Sequence, residues 1–523
     1  MTIKLKSFVS GQWQAGSGRT VTLRNPATEE PLAETSTEGI DFSAALEHAR
    51  EVGGPALRSM TFAERAEKLQ ALYDALFANR EEFIALSISN GGNTRNDAKF
   101  DVDGATATLL AYVDVGKELG DRHVINDGGS VQIGRTPRYA GRHILSPLHG
   151  AAVHVNAFNF PAWGMIEKAA VALLAGLPVV SKPATSTALL AQRMTEIIVD
   201  SAALPDGAFS FIAGSVGDLL DHLGPQDVLA FTGSGDTATV LRRLDAHTNR
   251  SLRVNIEADS LNAAVMGPDI EVGCETWQMM LNEVVTDVRQ KAGQKCTAIR
   301  RVFVPPARLD SFCEALKERL EDIVVGNPAE ANVRMGPLVS ANQLNNVAAG
   351  IESLQGQATK VTGRLKPEEL VGVDDRKGYF LTPHLFRVDD VAAAPIVHER
   401  EIFGPVVSVL PYEDNGELIR LCAAGGGSLV SSVYSDDRNF SRDLLVGLAP
   451  FNGRLTHGSS KVAGISPGPG TVLPMLVHGG PGRAGGGEEL GGARGLSFYL
   501  QRTAVQGYSA LLDKFFPAGD KPN

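Results

Sequence analysis

Ala151-Ala152-Val153-His154-Val155 is followed by Ala162 to Ala175, which Gly176 ends, then by Leu177 to Ser181 and Ala188 to Ala203. The two short pieces are apolar runs of strand length, and the two long ones carry the three- and four-residue apolar spacing of helices. Such a βαβα series predicts a parallel sheet with helices on both faces. The alternation continues through Phe209 to Ile212, a helix near Val216 to Leu223, a strand from Val228 to Phe231, a helix from Thr237 to Ala246 and a strand from Leu252 to Ile256. The fold class is therefore α/β. Upstream, Phe62 to Phe77 and Arg80 to Ser89 read as helices of an amino-terminal layer. Val131 to Gly134 and His143 to Leu145 read as short strands of a projecting hairpin around Pro137 and Gly141. A second α/β region runs from Glu257 onward, and the chain is glycine-rich from Gly464 to Gly495, a composition that by itself favours a flexible linker.

With 523 residues, 43% of them hydrophobic, the chain is long enough for two or three domains. A net charge of −11 with no basic cluster argues against a nucleic-acid partner. The amino terminus lacks the apolar core of a signal peptide. The longest uncharged apolar stretch, between Lys168 and Lys182, contains Gly176 and Pro178 and is too short for a bilayer. A cytoplasmic protein with no membrane partner is expected. Cys274, Cys296, Cys313 and Cys422 form no CxxC pair, which predicts reduced thiols. His154, His457 and His478 show no metal-ligand spacing, and no metal is expected.

Cys296 is the candidate nucleophile. A helix-like stretch from Thr276 to Gln290 closes near Ala292-Gly293, and a strand from Ile299 to Val304 stops at Pro305-Pro306, so Cys296 falls on the loop between them. Lys291, Lys295 and Arg289 nearby would favour its thiolate, whereas a thiol with no such context is more often a small buried hydrophobe. Gly233-Ser234-Gly235-Asp236-Thr237-Ala238 follows a strand and opens a helix, where free backbone N–H groups suit a pyrophosphate, although an ordinary strand-to-helix turn reads the same way. Lys182 ends another strand at the same predicted sheet edge, with a solvated surface lysine as the alternative. Glu257 ends the strand Leu252 to Ile256 and is the candidate general base, its pKa expected to rise by desolvation. Asn159 sits between a strand and a helix, where its amide could hold an oxyanion or cap the helix.

Taken together these residues resemble the NAD(P)-dependent aldehyde dehydrogenases, from Asn25-Pro26-Ala27-Thr28 to the tail. The resemblance implies a Rossmann-like cofactor domain (1–129 and 151–256), an α/β catalytic domain (257–490), and a small β oligomerisation arm with the tail (130–150 and 491–523). It implies that Cys296 attacks an aldehyde, that Asn159 and the Cys296 N–H hold the oxyanion, and that Glu257 activates the water that hydrolyses the thioester. Lys168 and Glu489 are implied near the thiol. Lys182, Thr185, Phe158, Gly217, Thr232, Gly233, Ser234, Glu401 and Phe403 are implied in cofactor binding, with Glu401 on the nicotinamide ribose. Thr185 stands where many NAD-preferring relatives carry a glutamate that would repel a 2′-phosphate, so NADP is expected to be preferred over NAD.

Two departures from the family pattern stand out. Glu257-Ala258-Asp259 lacks the usual Gly-Gly, which predicts a differently shaped base loop. The tail reads Leu476-Val477-His478-Gly479-Gly480-Pro481-Gly482-Arg483 instead of Pro-Phe-Gly-Gly. It is similar to the aldehyde dehydrogenase half of bifunctional phenylacetate ring-opening enzymes, which implies a CoA-linked semialdehyde, 3,4-dehydroadipyl-CoA semialdehyde in benzoate oxidation. On that reading the glycine-rich tail is an ordered active-site loop. A homodimer is expected from the arm. The competing readings are a CoA-acylating enzyme, against which Glu257 argues, and a non-catalytic NAD(P)-binding protein of the same fold, against which Cys296, Glu257 and Asn159 argue together.

Overall fold

Strands Arg253–Glu257, Val228–Thr232, Ala152–Val155, Val179–Lys182 and Phe209–Phe211 lie in that order, all parallel, in the computed structural model, which describes residues 2–374 and 377–517. The antiparallel hairpin Ser7–Val9 and Gln12–Gln14 extends the Phe209–Phe211 edge. Successive strand residues point to opposite faces. Ala152 and Val179 thus join a core built on the helices Phe62–Ala78, Arg95–Leu119 and Trp163–Ala175, while Val153 and Val180 join a second core with Phe42 and Leu46.

The helix ends follow from local chemistry. Thr61 and Glu64 form a reciprocal capping box at the start of Phe62–Ala78, with Glu64 N donating to Thr61 Oγ1 at 3.2 Å and Thr61 N to Glu64 Oε2 at 2.7 Å. Gly176, in the left-handed region at φ 94°, closes Trp163–Ala175. Two expected helices are smaller than their apolar spacing predicts. Val216 to Leu223 contains only the 3₁₀ turn Leu219–His222, hemmed by Gly217 and by Gly224-Pro225, and Thr237 to Ala246 is split into Gly235–Leu241 and Asp245–Thr248 by an extended Leu244.

A second seven-stranded sheet runs Thr359–Thr362, His384–Arg387, Val406–Pro411, Arg301–Val304, Ala263–Met266, Ser428–Tyr434 and Asn452–Gly458, parallel except for its first pair. A third sheet is antiparallel, with Tyr139–Pro147 between Ile125–Gln132 and Leu500–Tyr508. Its strands are longer than the sequence pattern suggests. Asn126, Asp127 and Gln132 give no apolar alternation because Ile125–Gln132 is exposed from Gly128 onward, although Ile125 packs against a core.

The glycine-rich tail is not a linker. Val477–Gly479 pairs antiparallel with Glu488–Leu490, placing His478 opposite Glu489, and the segment between them lies on the strand that ends at Glu257. Gly485, at φ 112°, comes so close that a Cβ there would stand 2.1 Å from Ile256 O. Among the described residues no helix is long and apolar enough to cross a membrane.

Candidate active site

The carboxyl ends of the first sheet's strands supply one wall of the site. Val155 pairs with Lys182 and Thr232 with Glu257, so Asn156 to Asn159, Lys182, Thr232 to Ser234 and Glu257 emerge along a single edge, where open α/β sheets receive ligands. The facing wall is the loop Gln290 to Arg300, between the helix Glu275–Arg289 and the strand Arg301–Val304. Its course is constrained. Lys291 and Ala292 are left-handed at φ 52° and 51°, and Gly293 follows at φ 68° with no room for a Cβ, which would lie 2.2 Å from Gly404 O. Such backbone persists only where neighbours over-determine it. Here Arg300 Nη2 donates to Gly293 O at 2.9 Å and Lys295 O at 3.1 Å, and Asn262 Nδ2 donates to Cys296 O at 2.7 Å and Ala298 O at 2.8 Å.

Two chambers open between the walls. The larger, a cleft, is lined by Phe158, Lys182, Thr185, Thr232, Gly233, Ser234, Glu401 and Phe403 among others. The smaller, an inner pocket, is lined by Phe100, Phe160, Trp163, Lys168, Val472 and His478 among others. Ala157, Asn159, Thr232, Glu257 and Cys296 line both, so the cysteine, the amide and the carboxylate stand together at the neck. Among the expected site residues, Gly217 and Glu489 line neither chamber, Glu489 standing behind Lys168. Gly217 lies against the Phe42 ring.

Asn159 is buried, and its side chain makes no hydrogen bond among the described residues. It does not cap the following helix, whose N-cap is Ala162. Instead its backbone carbonyl accepts from Lys291 Nζ, which lies 4.4 Å from the Phe160 ring centroid and 3.6 Å from Asp101 Oδ2. Lys295 Nζ is engaged by Asp287 and Gln290, each at 2.7 Å. The expectation that these lysines lower the Cys296 pKa is therefore wrong. Both cations are spent on structural partners, and burial together with the Glu257 carboxylate pushes the thiol up.

Glu257 also departs from expectation. Burial does oppose its ionisation, but His478, with Nε2 3.2 Å from Oε2, and the nearby Lys168 outweigh it and lower the carboxyl pKa to about 2. Burial works against a charge on His478, but the Glu257 and Glu167 carboxylates together raise its pKa above the ordinary histidine value. Sequence spacing gives His478 no role because that role needs a contact between strands over two hundred residues apart. The glycine runs around it were the available signal. His154 and His457 stay elsewhere, on Tyr499 and on Ser435 and Ser441, but Cys296, Glu257 and His478 offer one ligand atom each within 4.8 Å of one another, so a metal-capable set exists where sequence spacing predicts none.

Behind the neck, Lys168 Nζ lies 3.1 Å from Glu489 Oε2 and 3.3 Å from Glu167 Oε1. Burial works against its charge, yet the carboxylates Glu489, Glu167 and Glu257 raise its pKa above the ordinary lysine value. Burial raises Glu167, another residue the sequence reading omitted, to about 7. Asn255 Nδ2 fixes Glu489 Oε1 at 3.0 Å.

The large cleft suits a dinucleotide. Burial lowers Lys182 to about 8, and among the described residues no carboxylate pairs with it, which leaves an uncompensated cation on the wall beside Thr185 and Ser234. At the other end Glu401 accepts from Ser260 N at 2.9 Å and lies 3.3 Å from Arg300 Nη2, while burial raises it to about 7. Phe403 and Phe158 meet edge to face at 5.8 Å.

The aldehyde dehydrogenase family profile matches residues 13–505. The chain is 44% identical over 479 residues, covering 92% of this chain and 93% of the other, to a 3,4-dehydroadipyl-CoA semialdehyde dehydrogenase of Aromatoleum evansii. It is 28% identical over 500 residues (95% and 94%) to a non-phosphorylating aspartate-semialdehyde dehydrogenase of Halomonas elongata. Among solved structures, an NAD⁺ complex of an aldehyde dehydrogenase from Bacillus cereus superposes with a TM-score of 0.84 at 25% identity, covering 97% of both chains. With a family match across nearly the whole sequence and the expected α/β architecture underneath it, this chain belongs to the aldehyde dehydrogenase family and is an NAD(P)-dependent enzyme.

Proposed function

We propose that the enzyme oxidises a CoA-linked semialdehyde to the carboxylic acid with a preference for NADP, the substrate being 3,4-dehydroadipyl-CoA semialdehyde or a close analogue. The observation that carries this reading is the meeting of Asn159, Glu257 and Cys296 at the neck between a dinucleotide-sized cleft and an apolar pocket. The name of the relative at 44% identity supports the substrate class. Lys182 and Thr185, a half-buried unpaired cation beside a neutral hydroxyl, support a 2′-phosphate.

Each side chain then has a task. The aldehyde carbon enters from the inner pocket, whose Phe100, Phe160 and Trp163 rings desolvate an alkyl chain. The Cys296 thiol must lose its proton to attack, and the Asn159 amide and the Cys296 N–H hold the oxyanion that forms. The nicotinamide, when bound in the cleft, supplies the two-electron acceptor. Glu257, kept as a carboxylate by His478, takes a proton from the water that cleaves the thioester. Lys168 and Glu489 fix the inner wall, and Glu401 and Phe403 position the cofactor end of the cleft. The outlying antiparallel sheet is proposed as a homodimer arm, because its edge strand Leu500–Tyr508 is largely exposed and Val131, Ile133, Tyr139 and Tyr508 leave apolar surface uncovered.

A panel of free and CoA-linked semialdehydes, assayed with NAD and NADP, tests the reading. Cys296→Ala should abolish aldehyde-dependent NADPH formation while NADP still binds, with free acid and no new acyl-CoA as the wild-type product. Equal turnover of free and CoA-linked aldehydes would remove the substrate assignment, and acyl-CoA formed at the aldehyde carbon would favour the acylating alternative.

A further inference from the structure

We infer that Cys296, Glu257 and His478 form a zinc site that captures the catalytic neck in the absence of substrate. The three residues come from separate segments: the constrained loop after Gly293, the end of the strand Arg253–Glu257, and the tail strand Val477–Gly479. Sγ, a carboxylate oxygen and a ring nitrogen all lie within 4.8 Å of one another. A tetrahedral zinc ion, bound to sulfur at about 2.3 Å and to nitrogen and oxygen at about 2.0–2.2 Å, needs its ligand atoms roughly 3.5 Å apart. The set therefore has to close by about 1.3 Å at most to match those bond lengths.

The donors select the ion. A thiolate and an imidazole suit zinc, whereas magnesium and calcium require oxygen ligands. Three protein ligands leave a fourth position for water, and all three residues line the inner pocket, so that position faces solvent-sized space. An independent sign of a missing partner is Glu257 Oε1, which makes no hydrogen bond although the residue is only 3% exposed. Charge does not forbid the ion. Lys168 is offset by Glu167 and Glu489, and the Arg454 guanidinium is turned to the carbonyls of Thr471 and Pro469.

Binding is a proton exchange without redox change: the Cys296 S–H bond and the N–H bond of the coordinating His478 nitrogen break, S–Zn and N–Zn bonds form, and both protons leave to buffer. His478 Nδ1 has no hydrogen-bond partner to orient the ring, so affinity falls short of a structural zinc site. Metal binding as such does not depend on the proposed function. Only its consequence does, namely that a metal-bound sulfur cannot attack an aldehyde, which makes zinc a reversible inhibitor.

The test uses chelator-treated full-length protein titrated with Co²⁺ and then displaced by Zn²⁺. One ion per chain is expected, with a sulfur-to-cobalt charge-transfer band in the near ultraviolet that Zn²⁺ abolishes. Cys296→Ser should remove the band, His478→Asn should weaken binding about tenfold or more, and Cys274→Ser should change neither. NADP binding to each variant checks that it is folded. A band that persists in Cys296→Ser, or binding indifferent to His478→Asn, overturns the site. Aldehyde turnover blocked by zinc and restored by chelator supports the consequence, and a protein that binds zinc as described yet oxidises no aldehyde keeps the site while losing the proposed function.

Discussion

His478 Nε2 stands 3.2 Å from Glu257 Oε2, both side chains buried, and this contact decides the protonation state of the proposed general base. Burial is the largest single influence on Glu257 and pushes its pKa up, so removing the opposing histidine should raise that pKa. A carboxylate works as a base only when ionised, so activity is lost as pH falls through its pKa. His478→Asn should therefore move the acid limb of the kcat profile to higher pH by at least about one unit. A limb that stays in place would mean that another group sets the state of Glu257.

Lys182 gives a second pH dependence with the opposite sense. Its pKa, lowered to about 8 by burial, means that the free enzyme loses the cation as pH rises through that value. A 2′-phosphate favours the charged form, so the Kd for NADP should climb above pH 8 while that for NAD changes less. Lys182→Met should weaken NADP about tenfold or more, in line with loss of a charge-assisted hydrogen bond. Thr185→Glu should lower the NADP to NAD ratio of kcat/KM, and an unchanged ratio would refute the explanation built on this wall.

The strand ends carrying Lys182 and Thr232 were readable in the sequence because each closes an apolar run buried on both faces of a parallel sheet, and Glu257 because it closes the alternating run Leu252-Arg253-Val254-Asn255-Ile256 of an edge strand. Cys296 was readable as a loop residue for the same reason, between a helix and a strand with ordinary stop signals. What its neighbours do was not. Lys291 and Lys295 look like cations near a thiol, but their side chains turn to Asp101 and Asp287, contacts set by the packing of helices whose relative placement no local pattern encodes. His478 was hidden for a different reason. Glycine-rich composition does not distinguish a mobile linker from a chain pressed against another backbone, and only the close approach to Ile256 separates the two.

Lys291 joins the nucleophile loop to the Asn159 turn, with its ammonium buried 3.6 Å from Asp101 and touching the Asn159 carbonyl. Removing it leaves a buried carboxylate without its counter-ion and releases two left-handed residues. Lys291→Met should cost about 3 kcal/mol of stability, read as a lower urea midpoint, and should lower kcat more than it alters NADP binding. Wild-type stability in this variant would show that the contact contributes little to holding the loop.

Gly485 tests whether the tail belongs to the working site. At φ 112°, with Ile256 O where a Cβ would lie 2.1 Å away, alanine cannot be seated without moving either the tail or the strand that presents Glu257. Backbone strain of this kind costs about 1–3 kcal/mol, small enough for the domain to remain folded with the tail displaced. His478 would then leave Glu257, and the inner pocket would lose one wall. Gly485→Ala should reduce kcat at least about tenfold, since a small displacement of catalytic groups is enough to do so. The Kd for NADP should change less, because on the cleft side the tail bonds to Ala258 and Arg242 and not to Lys182, Thr185 or Ser234. Full turnover in this variant would return the glycine-rich segment to the status of a covering loop with no share in the chemistry.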